Sequence, residues 1–506
     1  MGRSTTAAPA WPPAAHGAPG DRRAAAPLAD RPALGRTDRR VLVLSSSLLV
    51  DRMLAHTGFL RTLSAGATVD VWATSAGNPR AANVWRDVPA EVRPMPPVDA
   101  FRQLWHNYPR RLVEAVWDYR QREPSRLSLM RHRPEAHRDR LLRAIDLSAR
   151  LIARLRQERR LERLLERHLL AYERCHEATA TFRAAPPDVV LATGPFQFEQ
   201  PAVVASAQRS GVRTLALIPS WDNVSTKKRM IFRYDGYIVW SEKVAGELRA
   251  RYPHTRTVPI HVVGAPQFDA FFQPRFHQSR ADFCRKHGLR PDRPIVLYAV
   301  GSPNFLRGER HGAIAMARAV AAGALGDVQL LVRPHPIHDN AEMERAFAEF
   351  GPAVQLQRTA EAGTPLTARS QDHDAIADWV STFRHADVVV NLSSTVVVDA
   401  ALCDRPIVNL DFDPAPDGAD TDLVREINRI WTHFGPVAQS GGVWLVGSVD
   451  EMVHAVRTYL ARPELHREQR RWIVEHVCQY ADGRCGERMA EAVLDFVGGG
   501  GDGAQR

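Results

Sequence analysis

The sequence predicts an α/β protein of two parallel-sheet domains that face each other across a cleft, with a helical insertion in the first. Three observations predict it. Short apolar β runs alternate with amphipathic stretches, and most of them end in a cluster of Ser, Asp, Asn, His or Gly. The alternation stops between about residues 100 and 183, where Arg-rich helical pattern replaces it. It then starts afresh near residue 290, and a chain of 506 residues is too long for a single hydrophobic core.

The elements follow in order. Residues 1–38 form an Ala/Pro/Gly/Arg-rich tail expected to be disordered, with no apolar core of a secretory signal. The run from Arg40 to Leu44 reads as a strand ending in Ser45-Ser46-Ser47. A helix is expected from Leu54 to Leu63 and a strand from Val69 to Ala73. In residues 141–170, Leu141, Ile145, Ile152, Leu155, Leu161, Leu165 and Leu169 fall roughly on one helical stripe. Strands resume at Pro187–Ala192, Thr214–Ile218, Gly236–Trp240 and Ile260–Val263. The second of these runs into Pro219-Ser220-Trp221-Asp222-Asn223.

The second unit begins after a Pro/Arg-rich stretch at 274–294. Its strands are Pro294–Val300, Val328–Val332, Asp387–Leu392 and Pro406–Leu410, and residues 450–497 read as mostly helical. The expected domains are therefore 39–272 and 290–497, both Rossmann-like, with the basic insertion at about 100–183 and a tail at 498–506. Ligands in such sheets bind outside the carboxyl ends of the strands, where the polar clusters lie.

The formal net charge of +10 is concentrated. Residues 101–170 hold 18 Arg and no Lys against 9 acidic residues, and residues 1–40 hold 7 Arg against 3 Asp. The rest of the chain is slightly acidic. Such a segment suits a solvated helix face or an anionic partner, either an anionic membrane surface or an anionic acceptor; no nucleic-acid-binding motif accompanies it, so nucleic acid is not expected. The five cysteines form no C-x-x-C pair, which fits a reducing compartment. With no run of about 18 apolar residues, the expectation is a cytoplasmic protein that meets the inner face of a membrane peripherally.

The motifs point to phosphate and sugar chemistry. In Arg333-Pro334-His335-Pro336, Arg333 and His335 point the same way on an extended backbone and form a small cationic clamp suited to a diphosphate. Ser393-Ser394-Thr395 opens a helix, where hydroxyls cap free amides and the dipole favours an anion. Asp399 lies four residues beyond Thr395 on the same face, placed to accept from ribose or sugar hydroxyls. Ser302, in the loop after the strand ending at Val300, is grouped with these donor-side residues. In the first half, Trp221, Asn223 and Lys227 offer an aromatic platform, an amide and a cation to an acceptor. Asp222, in the same cluster, is a candidate base or acceptor ligand. Asp411-x-Asp413 has the spacing of a metal-binding pair, but the tripeptide is common by chance, and neither a metal nor a cofactor is assigned. No P-loop, dinucleotide fingerprint, nucleophile elbow or H-E-x-x-H is present.

A strand followed by R-x-H-P, then a strand followed by [ST]-[ST]-x-x-x-D and P-[IV]-x-N, resembles the C-terminal half of GT-B enzymes of the CDP-glycerol glycerophosphotransferase type. It is also similar to capsule and surface-polysaccharide glycosyltransferases. Tyr480-Ala481-Asp482-Gly483-Arg484-Cys485-Gly486-Glu487-Arg488 looks like the D-G-x-x-x-E-R ending of that superfamily. The resemblance spans about residues 290–490. It implies that Arg333, His335, Ser394, Thr395 and Asp399 hold a nucleotide diphosphate donor and that the acceptor meets the first half; it also implies a histidine base in that half, for which His56 is the nearest candidate, with Asp51 and Asp222 as rivals. The expected function is transfer of a sugar from a nucleotide-activated donor to a surface-glycan or lipid-linked acceptor. Polyol-phosphate transfer, 2-epimerisation of a UDP-sugar and non-catalytic binding of a nucleotide sugar are the alternatives.

Overall fold

In the computed structural model the described residues are 39–499, without 80, 98–99, 133–139, 156–157, 198, 303–305, 307, 336–339 and 359–370. The expected tail at 1–38, most of the one at 498–506, and Pro336 lie outside them. Thirteen strands are described: β1 (Arg40–Ser45), β2 (Thr68–Ala73), β3 (Glu91–Pro94), β4 (Val189–Ala192), β5 (Arg213–Leu217), β6 (Gly236–Val239), β7 (Ile260–Val262), β8 (Ile295–Ala299), β9 (Gln329–Arg333), β10 (Val354–Leu356), β11 (Val388–Asn391), β12 (Ile407–Leu410) and β13 (Trp444–Val446). They make a seven-stranded sheet ordered β3-β2-β1-β4-β5-β6-β7 and a six-stranded sheet ordered β10-β9-β8-β11-β12-β13. Every pairing is parallel; Val41 pairs with Val69 and Val189, and Val389 with Leu297 and Ile407. Central strands such as β1 (RVLVLS) and β11 (VVVN) are near-continuous buried apolar runs, as a sheet covered on both faces requires.

Three strands escape the sequence reading, and all lie at sheet edges. β3 is largely exposed, β10 is three residues long, and β13 is half-buried over most of its length, so none needs an apolar run. The single helix expected at 54–63 is two, Leu48–Ala55 and Phe59–Ser64. The break passes Gly58, where an added Cβ would meet Glu487 Cγ at 2.6 Å.

Among the described residues, five α-helices lie between β3 and β4: Ala100–Gln121, Pro124–His132, Arg140–Arg154, Glu158–Tyr172 and His176–Ala184. Their stripe is only partly inward. Ile145 and Leu169 are buried, whereas Leu155, just past the end of its helix, is 60% exposed. The second of these helices, Pro124–His132, also touches the second half. Ser128 Oγ donates to Glu426 at 2.5 Å and Thr432 N donates to Ser125 Oγ at 3.1 Å.

The final helix, Cys485–Gly498, packs against the first half. Met489, Ala490 and Val493 join the core beneath β1, and Arg213 donates to the carbonyls of Phe496 and Val497 at 2.8 and 3.0 Å. Asp269 anchors its start, accepting from Cys485 N at 3.1 Å and Gly486 N at 2.7 Å. Gly483 supplies the turn before it with φ +74°, at a point where a Cβ would lie 2.7 Å from that of Phe272.

Candidate functional site

In each sheet the strand order reverses direction once, between β1 and β4 and between β8 and β11. The loops after those strands diverge and leave a crevice at their carboxyl ends. In the second half Glu309 ties the two loops together. It accepts from Gly301 N at 2.7 Å, after β8, and from Leu392 N at 3.2 Å, after β11. Burial pushes its carboxyl up to about 8, against the pull of those two N–H groups. At Gly301 an added Cβ would sit 2.5 Å from Glu309 Oε2 and push that carboxylate aside.

Arg333 ends β9 beside this crevice, and its carbonyl accepts from Val300 N at 2.9 Å. Burial lowers its guanidinium pKa, and the charges of Asp378 and Asp399 oppose that. Arg52, on the helix Leu48–Ala55 of the first half, lies with Cζ 3.9 Å from the centre of the Trp379 ring. Trp379 Nε1 donates to Asp399 Oδ1 at 2.8 Å. Burial pushes Asp399 up to about 6, although Arg52, Trp379 and Arg333 pull it down. Asp378 is engaged by His287 at 2.8 Å and Lys286 at 2.9 Å. Two guanidiniums from opposite halves therefore converge on one carboxylate, leaving an excess of positive charge at the strand ends. That arrangement suits an anion.

The other expected donor residues arrive by topology. Ser302 follows β8 and His335 lies two residues beyond β9; both are half-buried. The turn at 393–395 behaves differently from the capping motif expected of it. Ser393 has φ +50°; its N–H is held by Asn409 Oδ1 at 2.5 Å, and its hydroxyl donates inward to Asn428 Oδ1 at 2.9 Å. Ser394 receives Val396 N on its Oγ at 3.5 Å, and Thr395 is exposed and makes no side-chain cap bond to the helix Val396–Leu402.

The three candidate bases fall in different places. Asp51 is fully buried and bound by Ser45 Oγ at 2.5 Å, so it cannot reach a substrate. Asp222 accepts from the Ser220 hydroxyl and from Thr226 Oγ1 at 2.8 Å. Burial raises its pKa, but His433, Ser220 and Lys227 outweigh that and hold it below the usual range. Its neighbour from the second half is thus His433, whose own pKa burial lowers to about 4, and not the 333–335 loop. His56 sits where the halves meet: its Nε2 lies 2.5 Å from the Gln371 carbonyl and its ring packs edge-on against Phe276 at 5.6 Å. Burial, opposed by Gln371 and reinforced by Arg275 and Arg52, lowers its pKa and keeps the imidazole neutral.

Trp221 is not open to a sugar. It is 2% exposed and packs edge-on against His433 at 5.2 Å, because the loop after β5 folds its ring into the core. Asn223 and Lys227 do line a crevice of about 370 Å³, together with Ser46, Glu114 and Lys228, at the carboxyl ends of β1, β4 and β5. Asp411 and Asp413 serve local structure: Asp411 pairs with Arg429 at 2.6 Å, and Asp413 accepts from Ala415 N and Asp420 N. Among the described residues no three His, Cys, Asp or Glu side chains are arranged to hold a metal. Arg52, Trp379, Glu309 and Glu114 escape the sequence reading. For Arg52 a signal existed, since it is one turn from His56 on the same helical face.

Residues 219–495 match the family model described as CDP-Glycerol:Poly(glycerophosphate) glycerophosphotransferase. No curated protein matches the chain. Among solved structures it is similar to S. aureus MnaA in a co-structure with UDP, at 11% identity and a TM-score of 0.52, over 91% of this chain and 97% of that one. It is also similar to a Listeria monocytogenes protein described as a UDP-N-acetylglucosamine 2-epimerase, at 13% identity and a TM-score of 0.51, over 92% and 98%. At such identities the likeness is one of fold, and the two facing parallel sheets are the GT-B arrangement.

Proposed function

Because the chain belongs to the CDP-glycerol:poly(glycerophosphate) glycerophosphotransferase family, we propose that it moves a polyol phosphate from a CDP-activated donor to a hydroxyl of a surface-glycan or lipid-linked acceptor. The observation that carries this reading is the family match itself, which spans the strand ends where Arg333, His335 and Asp399 lie. The acceptor oxygen attacks the phosphorus that bears the polyol. A new P–O bond forms, the bond to the bridging oxygen breaks, and CMP leaves with that oxygen. Arg333 and Arg52 face the charge that develops on the leaving group. The hydroxyl proton passes to His56, the one candidate base that is neutral and lies where the halves meet.

A second reading, sugar transfer, draws support from the UDP in the MnaA co-structure. There the acceptor oxygen attacks the anomeric carbon and a nucleoside diphosphate leaves. Incubation of the protein with CDP-glycerol, UDP-sugars and GDP-sugars, with and without acceptor extract, separates the readings. Acceptor-dependent release of CMP is expected, with binding of CDP weakened by about 1–3 kcal/mol in Arg333→Ala. Release of UDP or GDP replaces polyol phosphate by sugar, epimerised UDP-sugar without acceptor makes the protein an isomerase, and no donor binding leaves no enzyme reading.

The acceptor reading extends to a membrane surface. Leu147, Leu151, Leu155 and Leu164 are each more than half exposed on the helical segment, flanked by exposed Arg143, Arg150, Arg154, Arg160, Arg163 and Arg167. Asp146, Glu162 and Glu166 of the same helices are occupied by Tyr119, Arg120 and Arg229. Apolar side chains among arginines suit a bilayer rich in anionic lipid. No helix among the described residues is long and apolar enough to cross a membrane.

A further inference from the structure

Glu114 belongs to the Arg-rich helix Ala100–Gln121, outside the stretch that matches the family model, yet it lines the crevice at the switch point of the first sheet. Its side chain is 3% exposed. Oε1 is held by Arg110 Nε at 3.1 Å, while Oε2 is buried, accepts no hydrogen bond and forms an ion pair with Lys228 Nζ at 3.4 Å. A buried carboxylate oxygen with an unused lone pair is costly, and such a group is normally satisfied by a partner. Above it, Lys227 and Lys228 stand exposed at the rim of the crevice. The opposite wall is fixed: Gln200 Nε2 donates to Ser46 Oγ at 2.8 Å and Gly194 N donates to Gln200 Oε1 at 2.9 Å. The crevice is thus preformed, with a cationic rim and one unused acceptor inside.

We propose that this crevice is the acceptor-end subsite and that Glu114 is its specificity-determining residue. It takes the terminus of a phosphorylated polyol or sugar, with Lys227 and Lys228 on the phosphate and Glu114 Oε2 accepting from a free hydroxyl. A simple anion satisfies only the lysines, and an uncharged polyol only the carboxylate; a ligand carrying both groups satisfies both. The inference rests on the transferase reading above and adds to it a residue and a selection rule.

The test uses the full chain and three probes in calorimetry or ligand-observed NMR: glycerol 3-phosphate, inorganic phosphate and CDP. Glycerol 3-phosphate should bind more tightly than inorganic phosphate. Glu114→Gln should weaken glycerol 3-phosphate about tenfold and leave inorganic phosphate unchanged or tighter, since one charge-assisted hydrogen bond is lost. Lys227→Ala/Lys228→Ala should weaken both about tenfold. Equal binding of the two anions to the unaltered protein, or Glu114→Gln acting on both alike or on neither, overturns the proposal. If Glu114→Gln does not fold, the double-lysine variant decides alone, because exposed side chains can be removed without unfolding; unchanged glycerol 3-phosphate binding there overturns it. CDP should bind all variants equally. Loss of CDP binding in the unaltered protein instead counts against the transferase reading, so the two failures are distinct.

Discussion

Glu309 is 2% exposed and accepts backbone N–H groups from the loops after both β8 and β11. Its carboxyl stands at about 8 in the folded protein against 4.5 for the free group. An acid whose pKa rises on folding binds its proton more tightly in the folded state, so its contribution to stability falls as pH rises from 4.5 towards 8 and is level above that. Thermal melts from pH 5 to 9 should show this decline, of the order of a few kcal/mol across the window. Glu309→Gln should flatten it; equal slopes in the two proteins would remove Glu309 as the cause. Such a residue is hard to see in sequence, since a Glu in the first turn of a helix is ordinary. Arg333 and His335 were legible because their spacing is itself the signal. The contact of Arg52 with Trp379 was not, because it exists only where helices from opposite halves meet.

At the scale of elements, the interior strands could be read, and of the four edge strands only β7 could. A strand buried on both faces must be apolar throughout, which writes β1, β4, β8 and β11 into the sequence as Val/Leu/Ile runs. β3 carries Glu91 and Arg93 at the open edge and has no such constraint. The last helix makes a sharper test. Alanine at a helical glycine normally gains about 1 kcal/mol. At Gly486, however, the Cβ would run into the Thr57 side chain and lie 3.2 Å from Asp269 Oδ2, disturbing the carboxylate that anchors the helix. Gly486→Ala is therefore expected to destabilise by about 1–3 kcal/mol. Gly246→Ala, in a helix where nothing lies within 4 Å of the new Cβ, should stabilise. Urea midpoints that move the same way in both would contradict the packing argument.

At the scale of the whole molecule, the two-sheet plan was legible because the strand–loop–helix rhythm occurs twice, with a break between. The contact of the helix Pro124–His132 with the second half was not, because side-chain bonds such as Ser128 to Glu426 leave no periodic trace. The exposed leucines were also missed, since one stripe of a helix pattern does not say which stripe faces in. They lead to a measurable outcome. In co-sedimentation, vesicles with 30–40% anionic lipid should retain the protein and neutral vesicles should not, each juxtaposed Arg adding about 1 kcal/mol. Leu147→Ser/Leu151→Ser/Leu155→Ser should abolish retention without lowering the melting temperature, because these side chains cover no core. Retention equal on neutral and anionic vesicles, or unchanged in the triple variant, would leave this face a solvated one.

The helix Cys485–Gly498 also sets an order of events during synthesis. Met489, Ala490 and Val493 complete the core under β1, a strand that leaves the ribosome more than 400 residues earlier. The first sheet can pair its strands as they emerge, and the helices Leu48–Ala55 and Phe59–Ser64 cover part of this face early, but the rest stays uncovered until Cys485–Gly498 has emerged. The first half is then a folding unit that the chain interrupts and completes only after the second half, and the nascent protein carries an exposed apolar surface for tens of seconds at ordinary elongation rates of about 5–20 residues per second.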